Sequence, residues 1–268
     1  MTPGPNDTVV TVGEGVGVTL REIARGGIAG AIAGAIVAGV GGRVVMRLAA
    51  LAVPAAAGRA TENGNVIGTI TPAGSLRLVA FGLVTGLFVG VFWVAVARWV
   101  PGTGVRRALA TMPIAVAVGG VGLIEGANPD FRVLRHDPLV VALLLGLVAA
   151  VGFVVALVDD LLDRWLPQVA GSRRGVIATY AALTGVGAIF TLPILAGGLF
   201  AGDPPRAVMG IALAVTGAAT LVWWRWRLDG LAAPPERLTL IARLSLVAVV
   251  VLGTIDLARE VREALGLA

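Results

Sequence analysis

The sequence predicts an all-α protein, a polytopic bundle of membrane-spanning helices. Three observations carry this expectation. Hydrophobic residues fill 57% of the 268 positions, and mean hydropathy is +0.92. Charged residues make up only 14%, against roughly 25% in soluble domains. The apolar residues also gather in runs of about 20, the length a helix needs to cross a bilayer core of ~30 Å.

Taken in order, residues 1–22 form an expected flexible tail. Residues 1–20 carry Asp7 and Glu14 and no arginine, and so lack the basic start of a signal peptide. A single transmembrane domain, 23–268, follows. Its expected spans are 26–53, 78–97, 108–124, 139–158, 176–200, 207–224 and 238–257. That makes seven, or six if the last helix lies along the surface. Pro54, Pro101, Pro138, Pro167, Pro204 and the Pro234-Pro235 pair punctuate their ends.

Arginine placement in short loops sets the expected orientation. With the N-terminus inside, Arg98, Arg106 and Arg107 fall on the inner side. So do Arg164, Arg173 and Arg174, and then Arg225, Arg227, Arg237 and Arg243. The N-terminus is therefore expected inside and the C-terminus outside. All 21 basic residues are arginine, which points to a GC-rich bacterial genome and so to the bacterial cytoplasmic (inner) membrane. The segments "RWVPGTGVRR" (98–107), "RWLPQVAGSRR" (164–174) and "WWRWR" (223–227) mark one boundary, with tryptophan expected at headgroup level. The layout reads as one leading helix followed by three helical hairpins.

Glycines recur every four residues at Gly26, Gly30 and Gly34, and again at Gly82, Gly86 and Gly90. Small residues at this spacing let helix backbones approach closely in lipid. The first two spans are expected to cross there. The same faces also suit docking of a second copy or of another membrane subunit.

Absent residue types remove whole classes of chemistry. Without lysine there is no retinal Schiff base and no phosphate-loop lysine. Without cysteine there is no iron–sulfur cluster, thiol catalysis or c-type haem attachment. His136 is the single histidine, too few for a multi-histidine metal site, and is expected as an exposed loop residue. No cofactor and no nucleic-acid partner is expected. The bilayer itself is the expected partner.

The candidate site is "GGRVVMRLAA" (41–50). Arg43 and Arg47 lie one helical turn apart and share a face. Two placements fit. Arg43 lies near the outer boundary and snorkels, or the pair sits inside the protein, where an arginine costs ~2.5–3.5 kcal/mol and marks function. Glu125 and Asp130 are the nearest expected counter-charges, with Asp137, Asp256 and Glu62 as further options. The arginine fork also suits phosphate or carboxylate, so an anionic lipid or solute is the expected ligand of Arg43, Arg47, Glu125 and Asp130.

A second cluster, "DDLLD" (159–163), holds Asp159, Asp160 and Asp163. Its spacing resembles the DDxxD motif of membrane prenyltransferases, which implies magnesium held against a diphosphate. The resemblance covers only these five residues, and no second aspartate-rich segment accompanies them. Arg164, Arg173 and Arg174 stand close by in the chain to neutralise them.

Three readings therefore remain. The first is binding or transport of an anionic solute or lipid at an outward-facing site. The second is a structural subunit of a larger membrane complex. The third is a magnesium-dependent enzyme acting on isoprenoid diphosphates. The balance of these leans away from an enzyme. Reporter fusions at successive bends should alternate sides, with a fusion after Leu228 reporting inside and one at the C-terminus outside. Failure to alternate would refute the layout.

Overall fold

The computed structural model describes residues 12–61, 66–126, 128–167, 175–185 and 205–267. Within them the chain is a bundle of α-helices with one isolated bridge, Ala60 to Val66, in a loop. Helix α1 (Val12–Ala33) runs through a π-helical segment, Gly34–Gly41, directly into α2 (Gly42–Ala52). Next come α3 (Pro72–Val96), α4 (Gly104–Leu123), the short α5 (Pro129–Val133) and α6 (Pro138–Trp165). Helices α7 (Gly175–Gly185), α8 (Arg206–Leu228) and α9 (Glu236–Ala264) complete the described chain.

Six of these helices are long and apolar enough to cross a membrane. They match six of the seven expected spans. The seventh, over 176–200, is described only as α7, and its remainder lies outside the described residues. The first turns of α1 occupy positions that the sequence places in the tail, because Arg21 and Glu22 find partners on other helices.

The helix starts follow local chemistry. Thr71 caps α3 by accepting from the Gly74 amide at 3.1 Å, and Pro72 presets the first turn. Asp137 does the same for α6, accepting from the Leu139 amide at 2.8 Å ahead of Pro138. Asn128 accepts from the Asp130 amide at 2.8 Å and starts α5. Helix α8 stops at Gly230, whose φ of +92° is a backbone shape that glycine adopts freely.

The closest helix pairs are α1 with α3, α4 with α6, and α8 with α9. Helices α3 and α4 follow one another in the chain without forming a close pair. Backbone meets backbone between α1 and α3. A Cβ built on Gly30 would lie 2.1 Å from the Gly86 carbonyl oxygen, and one on Gly34 would lie 2.0 Å from that of Gly82. Gly253 of α9 meets Ala117 of α4 in the same way, at 2.5 Å from its carbonyl oxygen. No side chain fits at these crossings.

The span Gly15–Ala52 is one continuous helix of 38 residues. At about 1.5 Å per residue it far exceeds the ~30 Å hydrocarbon core. Its two charged patches, Arg21 with Arg25 and Arg43 with Arg47, are separated by roughly 27 Å of helical rise. They therefore lie at opposite membrane boundaries. The π-helical segment sits just ahead of Arg43, and its wider turns rotate the Arg43 face relative to the glycine stripe below.

Because the α1–α3 crossing has no room for a Cβ, Gly86→Val should destabilise the protein by about 3 kcal/mol or more. Thermal unfolding in detergent measures this. An unchanged midpoint would contradict the described crossing.

Candidate functional site

Two polar regions lie at opposite ends of the bundle. The first joins α1, α3, α4, α6 and α8 at the end that bears the Trp–Arg segments. Asp159 is 1% exposed. It accepts from Arg25 Nε at 2.6 Å and from Arg107 Nη1 at 3.5 Å. Asp160 accepts from Arg107 Nη1 at 2.7 Å and from the Gly104 amide at 2.8 Å. Asp163 accepts from Arg21 Nη1 at 2.7 Å and also pairs with Arg25.

Arg21 closes the end of α6 as well. It donates to the carbonyls of Asp163, Leu166 and Pro167 at 2.7, 3.1 and 3.1 Å. A cation is favourable at a helix C-terminus, where the unpaired carbonyls carry the negative end of the helix dipole. The Arg107 guanidinium stacks 4.7 Å from the Trp93 ring centroid and donates to the Ala97 carbonyl at 2.6 Å. On the α8 side, Glu22 accepts from Arg227 at 2.6 Å and from Trp224 Nε1 at 2.9 Å.

Of the partners the sequence suggests for "DDLLD", Arg164 does not pair with it. Arg164 is exposed, while Arg21, Arg25 and Arg107 bind the three carboxylates. Arg173 and Arg174 lie outside the described residues. Among the described residues, no group of three or more His, Cys, Asp and Glu side chains is arranged to hold a metal ion. Trp99 and Trp223 are 1% and 0% exposed, and Trp99 Nε1 donates to Thr220 Oγ1 at 2.8 Å. Only Trp165, at 77% exposed, projects outward from its "RW" segment, so the two similar segments are not equivalent in the fold.

Arg98 lies just beyond α3 and stacks over Trp223, 4.5 Å from its centroid. Desolvation, with Arg227 and Arg107 nearby, lowers its pKa from the ordinary arginine value against the pull of Glu22. It stays charged, since guanidinium does not deprotonate in proteins.

The second region lies at the loop end. Arg43 is 8% exposed and packs against the N-terminus of α3. Its Nη2 stands 2.2 Å from where a Cβ on Gly74 would be, so the guanidinium lies directly against the first turn of α3. Its one hydrogen bond is long, from Nη1 to the Thr69 carbonyl at 3.4 Å, and its buried Nε has no partner. Arg47 is exposed and donates to the Gly68 carbonyl at 3.0 Å. Neither pairs with a carboxylate among the described residues. Both line a groove of about 380 Å³ together with Val40, Val44, Ile70 and Ser75.

The other expected ligands stand elsewhere. Glu125 is exposed at the end of α4. Asp130 lines a separate cavity of about 380 Å³ with Arg77, Asn128 and Thr61. Asp256 pairs with Arg206 at 2.9 Å, and Asp137 caps α6. Glu62, with Asn63 and Asn65, lies outside the described residues. His136 is half-buried instead of exposed, because its Nδ1 hydrogen-bonds the Ala264 carbonyl at 2.6 Å and secures the end of α9.

The fold defines a class, a multi-span membrane protein built from helices. No protein family, curated protein or solved structure matches this chain.

Truncating Asp159 leaves Arg25 and Arg107 facing one another without their shared carboxylate. Asp159→Ala should cost about 3–5 kcal/mol, the range for breaking a buried ion pair from one side. Chemical or thermal unfolding in detergent reads this directly. A loss below about 1 kcal/mol, the level of a surface pair, would contradict the network's structural weight.

Proposed function

We propose that the groove at Arg43 and Arg47 binds the phosphate of an anionic lipid, and that the chain is an anionic-lipid-binding protein of the bacterial cytoplasmic membrane with this end facing outward. The supporting observation is Arg43 itself. It is a buried cation with an unanswered Nε, packed at the N-terminus of α3, and among the described residues no carboxylate pairs with it. The positive end of a helix dipole disfavours a cation and favours an anion. A phosphate placed between Arg43, Arg47 and the start of α3 reverses that unfavourable sign. It would meet guanidinium donors, the Ser75 hydroxyl and a helix N-terminus, all suited to phosphate oxygens.

The walls favour a lipid over a free solute. Val40, Val44, Leu48 and Ile70 line the groove and are exposed on the outer face of the bundle. A groove walled this way opens sideways toward acyl chains, with its charges at the boundary. Asp130 and Glu125 take no part in this reading.

The test compares thermal stability in phosphatidylglycerol and in phosphatidylcholine nanodiscs. A lipid at 100 times its Kd stabilises by about 2.7 kcal/mol. Wild-type protein should gain stability in phosphatidylglycerol, and Arg43→Gln should lose that gain while keeping its stability in phosphatidylcholine. Equal gains in wild type and variant would refute the proposal.

A further inference from the structure

At the opposite end of the bundle, an open cavity of about 490 Å³ is lined by Arg21, Arg25, Arg98, Arg107 and Arg243. Glu22 and Asp163 are the acidic residues in its wall. Counting Arg227, Asp159 and Asp160 behind the wall, guanidiniums still outnumber carboxylates.

The five arginines divide into two kinds. Arg21, Arg25 and Arg107 are fixed by hydrogen bonds to the aspartates of α6 and to backbone carbonyls. Their positions are set before any ligand arrives. Arg98 and Arg243 have no hydrogen-bond or carboxylate partner among the described residues. Arg98 is held by its stack on Trp223 alone, which leaves the edge of its guanidinium free to donate. Arg243 projects from the second turn of α9 on the other side of the cavity. Both are exposed, and both face this one polar space without an answering carboxylate among the described residues.

We propose that this cavity is a second anion site, taking a phosphate-bearing ligand from the aqueous side or from a lipid headgroup, with Arg98 and Arg243 as its clamp. Arg21, Arg25 and Arg107, neutralised by the aspartates of α6, form a fixed polar wall behind them. Two unpaired guanidiniums across a cavity present planar donor forks that match phosphate oxygens better than they match a point ligand. The site is independent of the groove at Arg43, which lies at the other membrane boundary.

The test is titration of the full-length protein in detergent with inorganic phosphate and with pyrophosphate, followed by calorimetry or thermal shift. A parallel arm uses phosphatidylglycerol against phosphatidylcholine nanodiscs. Saturable binding is expected in at least one arm. Arg98→Gln and Arg243→Gln should each weaken it about tenfold, the loss of one charge-assisted contact. Arg43→Gln should leave the binding of phosphate and pyrophosphate unchanged, and in nanodiscs the clamp variants are compared within the Arg43→Gln background so that the two sites are read separately. Binding of the soluble probes identifies a solute site, and a clamp-dependent response to phosphatidylglycerol alone identifies a headgroup site. Should Arg98→Gln fail to fold, Arg243→Gln still decides, since Arg243 is exposed and has no partner to lose. No saturable binding in either arm, or binding that both clamp variants retain, overturns the proposal.

Discussion

Asp159 is a carboxylate almost without solvent, placed where α6 leaves the membrane, and two guanidiniums from other helices close on it. Taking such a charge out of water is costly unless opposite charges and hydrogen bonds surround it. Arg25 from α1 and Arg107 from α4 provide that surround, and Arg25 and Arg21 extend it to Asp163. The helices that carry these residues are thereby held at one relative height and rotation. In lipid, where the hydrophobic effect does not drive helices together, such polar contacts and close backbone packing decide the arrangement. The glycine crossing of α1 with α3 and the aspartate network are complementary in this sense. One sets how near the helices come, and the other sets which faces meet.

The two ends of the bundle solve the same electrostatic problem differently. At the Trp–Arg end most buried cations are answered from within the chain, by aspartates, carbonyls and aromatic faces. At the loop end Arg206 is answered by Asp256 and Glu260, whereas Arg43 has, among the described residues, one long bond to a carbonyl. Among the described residues, internal compensation is thus the rule for buried arginines, and Arg43, the departure at the loop end, lies against a groove.

Much of the fold was legible in the sequence because lipid imposes coarse rules. Span length, proline punctuation and low charge locate the helices without any tertiary information. The glycine spacing likewise marks a face able to meet another backbone. The pairings were not legible, because they join distant positions: Arg25 and Asp159 stand 134 residues apart. Proximity along the chain suggested Arg164, Arg173 and Arg174 for the aspartates, and for Arg164 that guess failed for a geometric reason. Arg164 stands one turn from Asp160 on the same helix but is exposed, while Arg107 of α4 reaches that carboxylate directly at 2.7 Å. The surroundings of Trp99 and Trp223 were not legible either. Tryptophan beside arginine marks a membrane boundary on average, but here the rings are enclosed and serve as a stacking surface and a hydrogen-bond donor. The Arg43 and Arg47 pair was visible as an anomaly, yet its setting at the start of α3 depends on a loop and a π-helical turn that no periodicity announces.

The α1–α3 contact has a thermodynamic corollary. Where Gly26, Gly30 and Gly34 lie against Gly82, Gly86 and Gly90, the touching surfaces are main chain, with no rotamers to immobilise. Association there gives up almost no side-chain entropy, unlike a seam of leucine or methionine. Its attraction comes from dispersion and from weak Cα–H···O contacts between backbones. Such a seam tolerates sliding along its axis more readily than interlocked side chains do, because nothing has to climb out of a socket before the helices can shift.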